Sequence, residues 1–283
     1  MSRLVRPRGE AAGMKPFLKW AGGKYRLLPY IQRALPPGRR LIEPFVGSGA
    51  VFLNTSYDAY VLSDINADVI ALYRVLSLHG EEFIEDCRRL FIPENNCPEV
   101  YYALREEFNA SRNPVRRAAL FVYLNRHGYN GLCRYNAEGR FNVPFGRYKR
   151  PYFPEREMRY FCEKARRAEF LCVDFREVMR MAEPGDVVYC DPPYVPLSKT
   201  ANFRQYAAQG FGEAEQRDLA RIAEELADRG IPVLISNHLT PFTERAYRRA
   251  ECRQLQVRRA ISCQGARRGY APEVLALFAP RSR

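Results

Sequence analysis

The sequence predicts an α/β fold: a mainly parallel, doubly wound sheet with an antiparallel edge hairpin and an inserted, mainly helical segment. Three observations lead there. Short apolar runs bounded by turn residues alternate with helical patterns, which is the rhythm of strand–helix–strand units. Two β-rich runs near the C-terminus flank a Gly-containing basic loop, as the strands of a hairpin do. Between these regions, residues 68–160 break the rhythm.

Taken in order, the chain opens with Arg3, Arg6 and Arg8 but no apolar stretch behind them, so it reads as a short basic tail over residues 1–13 rather than a secretory signal. Met14, just before the first motif, is an alternative start. The apolar runs expected as strands are residues 40–46, 60–64, 169–174, 186–190 and 231–237. Residues 213–229 are expected as a helix, with Leu219, Ile222, Ala223 and Leu226 on one face. Residues 252–262 and 272–279 are the expected hairpin strands. The insert opens with helical patterns at 100–108 and 116–124 and continues into a long loop rich in Gly, Asn, Arg and Tyr, from Arg126 to Arg150. Long ordered loops usually carry function. The expected division is a tail (1–13), a sheet domain in two pieces (14–67 and 161–283) and the inserted domain (68–160).

Forty-five Lys and Arg against 32 Asp and Glu leave a formal charge of +13 on 283 residues. Such a surface attracts polyanions and binds them in a salt-dependent way, although charge alone is equally compatible with a merely basic soluble protein. The eight cysteines never approach one another within four residues, and the three histidines are scattered, so neither a disulfide framework nor a metal site is expected. Several cysteines, Cys190 among them, sit in apolar runs and are expected to be reduced core residues of a cytosolic protein. No apolar run has the length of a membrane span.

Two constellations carry chemistry. In Glu43-Pro44-Phe45-Val46-Gly47-Ser48-Gly49 a strand ends in a Gly-rich turn before a helix, which presents backbone amides to a ligand. The next strand ends in Asp64, where doubly wound folds place the acid that binds ribose hydroxyls. Phe52 stands at the third glycine of the dinucleotide fingerprint. Val46 rules out a nucleophile elbow, and Leu18 and Tyr25 rule out a P-loop at Gly23-Lys24.

The stronger signal is Asp191-Pro192-Pro193-Tyr194 directly after an apolar strand. An exocyclic adenine amine is a poor nucleophile because its lone pair is delocalised. A carboxylate and a carbonyl that accept its two hydrogens pyramidalise the nitrogen and aim that pair at an electrophile. Asp191 supplies the carboxylate, and the two fixed-φ prolines hold the Pro192 carbonyl outside regular structure. Tyr194 offers a flat face for an extruded base. The competing reading is a rigid turn with incidental polar residues.

The chain resembles the Dam-type DNA adenine methylases, within the alpha group of amino-methyltransferases. Phe17-Leu18-Lys19-Trp20-Ala21-Gly22-Gly23-Lys24 is similar to that family's N-terminal cofactor motif, the Glu43–Gly49 segment to its glycine-rich motif, and Asp191–Tyr194 to its catalytic motif. The resemblance runs from Met14 to Pro280 and implies a Rossmann-like methyltransferase sheet acting on adenine N6 in double-stranded DNA, with GATC as the target, S-adenosylmethionine as donor and no metal. It departs at the tail and at residues 264–272. It implies that Asp191, Pro192 and Tyr194 are catalytic and that Trp20, Lys24, Phe45, Gly47, Asp64, Phe175 and Asp191 hold the cofactor, Lys24 through the methionine carboxylate. It assigns DNA contacts to Lys19, Tyr129, Asn130, Leu132, Arg134, Asn136, Pro144, Arg147 and Tyr148. Arg134 has the donor fork that fits guanine, Leu132 and Pro144 suit a thymine methyl, and Tyr129 suits the gap left by a flipped base.

Two alternatives stand beside this reading. Methylation of cytosine N4 uses a similar turn, more often with Ser before the prolines. A non-catalytic DNA-binding module would not need Trp20, Lys24, Asp64 and Asp191 together. An RNA substrate fits the long Arg/Asn/Tyr insert less well. A cytoplasmic enzyme working on DNA, without an obligate protein partner, is the resulting expectation. The sequence leaves open whether methylation would mark replication and repair, protect against restriction or modify a phage genome.

Overall fold

The computed structural model describes residues 13–195, 211–258 and 270–280. The basic tail, save Gly13, and the loop joining the two hairpin strands lie outside the described residues. The sheet has seven strands: β1 (Arg40–Glu43), β2 (Ala59–Ser63), β3 (Ala168–Leu171), β4 (Asp186–Cys190), β5 (Val233–His238), β6 (Glu251–Arg258) and β7 (Tyr270–Phe278), in the spatial order β3-β2-β1-β4-β5-β7-β6. Strands β1 to β5 pair in parallel, while β7 pairs antiparallel with both β5 and β6. The order reverses between β1 and β4, and a crevice opens there beyond the strands' carboxyl ends.

Strand alternation explains the two-sided core. Leu41, Leu62, Tyr189 and Leu234 belong to one apolar cluster, and Ile42, Val61, Val188 and Ile235 to the other. The first face is covered by α1 (Leu28–Ala34), α2 (Ala50–Leu53), α3 (Ala67–Arg88) and α6 (Glu155–Ala165), with α5 (Pro114–His127) packed on α3; the second by α7 (Phe175–Arg180) and α8 (Glu213–Asp228). Two further helices are α4 (Pro98–Ala110), in the insert, and α9 (Pro241–Ala246). The first cluster runs without interruption into the insert through Tyr101, Phe108, Phe121 and Phe141. Helix α3 is the bridge, because it packs on α5 on one side and on α6 and β3 on the other.

Expected elements are present, with ends moved for identifiable reasons. Strand β1 stops at Glu43 because Pro44 has no N–H for the ladder. β3 stops at Leu171, and Asp174 instead caps α7 by accepting the Arg176 N–H. The cysteines differ more: Cys87 and Cys190 are buried, but Cys172 and Cys252 are exposed, Cys172 just past the end of β3 and Cys252 on the edge strand β6. All described cysteines are free thiols. Among the described residues no helix is long and apolar enough to cross a membrane.

Candidate active site

A cavity of 740 Å³ fills the crevice at the β1–β4 reversal, and it is lined by Trp20, Lys24, Phe45, Gly47, Asp64, Phe175, Asp191, Pro192 and Tyr194. Residues from Trp20 to Tyr194 in sequence therefore line one cavity, most of them in or just beyond a strand end or helix start at the same edge of the sheet.

The Gly-rich turn forms the floor. Gly47 has φ of 47°, a left-handed conformation, and a Cβ there would lie 2.7 Å from the Trp20 indole nitrogen. Its N–H donates to Asp64 Oδ2 at 3.0 Å, and its carbonyl accepts from the Tyr73 hydroxyl at 2.5 Å. Asp64 Oδ1 accepts the Asn66 N–H at 2.9 Å. Burial raises the Asp64 pKa, and these backbone donors oppose the rise. Phe45 and Phe175 stack at 5.4 Å with Phe211 edge-on to Phe45, which gives the cavity an aromatic slot.

Asp191 follows β4 and is tied on one side. Its Oδ1 meets Lys24 Nζ at 2.8 Å and the Ser236 hydroxyl at 3.2 Å. No partner of its Oδ2 is found among the described residues, and the carboxylate is 22 % exposed toward the cavity. Burial raises its pKa, opposed by the Lys24 charge and by hydrogen bonds from Lys24 and Ser236. Lys24 also donates to the Gly22 carbonyl at 2.6 Å. The ammonium that the resemblance directs at a cofactor carboxylate is therefore engaged with Asp191. The rest of the turn is fastened from behind: Gln216 of α8 donates to the Pro193 carbonyl at 2.7 Å, and Asn237 of β5 accepts the Val195 N–H at 3.1 Å. Among the described residues no donor reaches the Pro192 carbonyl. Tyr194 donates to Glu273 at 2.9 Å, its ring meets His238 edge-on, and Lys24 Nζ lies 4.5 Å from its centroid.

Several lining residues escaped the sequence reading. Glu43 is buried in the wall, with Oε1 unpartnered among the described residues. Desolvation and the Asp191 charge push its pKa up to about 8, against a smaller effect of Lys164. It stands in the quoted motif, one residue before Pro44, so its position was readable and its burial was not. His238 lines the cavity at the end of β5, and Ser236, behind the lining, bonds Asp191; with Asn237 they form a polar end to an apolar strand, a legible signal. Glu273 arrives from β7 opposite His238, a pairing no local pattern encodes.

The residues expected to touch DNA lie around a second feature, the loop system of the insert. Asn125 clamps the backbone of Lys19 at both its N–H and its carbonyl, each at 2.8 Å, which joins the N-terminal motif to the insert. The Lys19 side chain passes over Gly131, whose φ of 62° needs glycine, donates to the Arg126 carbonyl at 3.1 Å, and sets its ammonium 3.8 Å from the Tyr148 ring centroid. Burial, then the Arg126 charge, lower the Lys19 pKa to about 8. Asn130, at φ 53°, donates its N–H to the Tyr148 hydroxyl, and Tyr129 donates its N–H to the Pro144 carbonyl at 2.8 Å. The Tyr129 ring is half exposed, Leu132 is partly buried, and Pro144 and Arg147 are exposed. Arg134 is exposed and, among the described residues, its side chain is held by Asn142 alone, through Oδ1 at 2.8 Å and the carbonyl at 3.1 Å. The Asn136 side-chain oxygen Oδ1 builds a turn, accepting from the N–H groups of Glu138 and Arg140.

Residues 20–261 match the family model described as D12 class N6 adenine-specific DNA methyltransferase. A protein of Escherichia coli K12 named DNA adenine methylase is 56 % identical over 266 residues, 94 % of this chain and 96 % of that protein. The proteins of the same name from Serratia marcescens and Vibrio cholerae O395 are 55 % and 53 % identical, covering 93 % and 94 % of this chain and 98 % and 96 % of theirs.

Proposed function

The chain belongs to the D12 class of N6 adenine-specific DNA methyltransferases, and from that membership we propose that it methylates adenine N6 within GATC in duplex DNA, using S-adenosylmethionine. The cytosine-N4 and non-catalytic readings give way to this membership.

The observation that carries the proposal is the division of polar groups at the Asp191–Tyr194 turn. Asp191 Oδ1, the Pro193 carbonyl and the Val195 N–H are tied back to the protein, while Asp191 Oδ2 and the Pro192 carbonyl are left toward a ligand. Those are the two acceptors an exocyclic amine needs. The cavity fits the donor: Asp64 suits ribose hydroxyls, the slot of Phe45 and Phe175 suits a purine, and the carboxyls of Asp191 and Glu43 suit a cationic methionine moiety. S-adenosylmethionine, when bound, supplies a sulfonium methyl and departs as the neutral thioether. Asp191 accepts one N6 hydrogen bond and the Pro192 carbonyl the other, so the nitrogen lone pair points at the methyl carbon. With the donor bound, the nitrogen would take the methyl that the sulfonium gives up, and the proton it loses would leave by way of the Asp191 carboxylate, which already accepts that N–H. Tyr194 flanks the extruded base. Lys19, Tyr129, Asn130, Leu132, Arg134, Asn136, Pro144, Arg147 and Tyr148 face the duplex, with Arg134 reading guanine. The enzyme works in the cytoplasm on chromosomal or other duplex DNA without an obligate protein partner.

The test is sequencing of methylated bases in DNA from a methylase-free host expressing the chain. N6-methyladenine confined to GATC is expected, and methylation at other sequences or on another base overturns the proposal.

A further inference from the structure

Ser236 follows the apolar half of β5, Val233 to Ile235, and both it and Tyr189 on the neighbouring strand are essentially inaccessible to solvent. A buried hydroxyl costs stability unless it is hydrogen-bonded, so its partners show what it does. Ser236 Oγ lies 3.1 Å from the Tyr189 hydroxyl, 3.2 Å from Asp191 Oδ1 and 3.4 Å from the Cys190 carbonyl. One serine proton serves one acceptor well, and the ionised, nearer carboxylate oxygen is the stronger. Tyr189 then donates to Ser236, and Ser236 to Asp191. Hydrogen bonds in such a chain polarise one another in the same direction.

We propose that Ser236, backed by Tyr189, is a positioning residue for methyl transfer: with Lys24 it occupies Asp191 Oδ1 and so leaves Oδ2 as the acceptor for the adenine amine. The proposal rests on Asp191 being the acceptor, as argued above. It assigns the arrangement of the carboxylate to the sheet itself, because β4 and β5 pair in parallel immediately before these residues, with Cys190 opposite Ile235. The donors act on the protonation state as well as on orientation. Around Asp191 stand Lys24 from the first motif, Glu43 from β1, Tyr189 from β4, Ser236 and His238 from β5, Tyr194 from the turn and Glu273 from β7. Of these, Lys24 and Ser236 favour the carboxylate form, against the desolvation that opposes it.

The experiment compares Ser236→Ala, Ser236→Thr, Tyr189→Phe and Asp191→Asn with wild type, full chain, on a duplex containing the target site. Ser236→Ala should lower kcat roughly 10- to 100-fold, the loss expected for one hydrogen bond to a charged group, with KM for DNA nearly unchanged. The acid limb of its kcat–pH profile should move to higher pH, since losing a donor to the carboxylate makes it easier to protonate. Tyr189→Phe, which removes one oxygen and little volume, should act in the same direction more weakly, and Ser236→Thr should restore most of kcat. Trp20, the single tryptophan and a cavity residue, reports folding and S-adenosylhomocysteine binding by fluorescence, which should stay near wild type in Ser236→Ala, Ser236→Thr and Tyr189→Phe. Wild-type kcat and pH profile in both Ser236→Ala and Tyr189→Phe overturn the proposal. So does a lowered kcat with an unmoved acid limb, because that is what packing damage alone produces. Near-normal activity of Asp191→Asn overturns instead the assignment of Asp191 on which the proposal stands.

Discussion

Asp191 and Arg134 are both charged side chains held by hydrogen bonds, yet their surroundings are opposite. Asp191 sits in a turn fastened by Lys24, Gln216, Ser236 and Asn237, from three separate elements beyond its own strand. Arg134 lies exposed on a loop and, among the described residues, its side chain is held by one neighbour, Asn142. The contrast follows from what each must do. A group that acts in a transition state gains by being held before the substrate arrives, because reorganisation then costs nothing at the moment of reaction. A group that reads a base edge must exchange its intramolecular partners for that base, and a single exposed partner is cheap to leave.

The sharpest way to break this comparison is Asp191→Ala. Activity should fall by at least about 10³-fold, while DNA affinity measured by filter binding stays within a few fold because phosphate contacts supply most of it. Near-wild-type turnover would dissolve the distinction between the two regions. Arg134→Ala should do the reverse. It should leave the chemistry intact and remove about 1–3 kcal/mol of discrimination at one guanine, seen as kcat/KM on GATC falling far more than kcat/KM on the duplex altered at that guanine. An unchanged ratio at every position would make Arg134 a phosphate clamp. Arg147→Ala serves as the contrast, with weaker binding to all sequences alike and a salt slope reduced by about one.

Gly47→Ala probes the rigid side at a smaller scale. Its left-handed backbone costs a non-glycine residue about 1–2 kcal/mol, and the new methyl meets the Trp20 indole. Urea denaturation should show that loss, with weaker cofactor binding by Trp20 fluorescence. Unchanged values for both would mean that Trp20 moves freely and the floor is not preorganised. The smallest effect concerns Lys19, whose pKa is lowered to about 8 by burial and by Arg126. Its positive charge is present below that pH and lost above it, so DNA affinity should decline by a few fold as pH rises through about 8. For stability the sign is opposite: between about 8 and the ordinary lysine value of 10.5 the folded chain binds fewer protons than the unfolded one, so this residue's contribution to stability rises with pH. Lys19→Arg should flatten the decline in affinity, and a wild-type profile flat to pH 9 would contradict it.

Much of this was legible in the chain. Strand alternation, the Gly-rich turn after β1, the acid after β2 and the Pro-Pro turn after β4 are local patterns, and each ends at the same edge of a parallel sheet. The family resemblance named Trp20, Lys24, Phe45, Gly47, Asp64, Phe175 and Asp191 together, and they line one cavity. Local pattern also marks what kind of chemistry a side chain offers, since a carboxylate accepts and an ammonium donates wherever it lies.

Partners and burial belong to the tertiary structure. Only packing sends Lys24 to Asp191, brings Ser236 beside the same carboxylate, and carries Glu273 to Tyr194 on a strand inserted between β5 and β6. Only packing buries Glu43 until its pKa reaches about 8, while it leaves Cys172 and Cys252 exposed although sequence pattern favoured the core. The physical reason is range. Alternation and turn chemistry act over a few residues, whereas desolvation and hydrogen-bond pairing depend on groups brought together from more than a hundred positions apart, as Lys19 and Asn125 are.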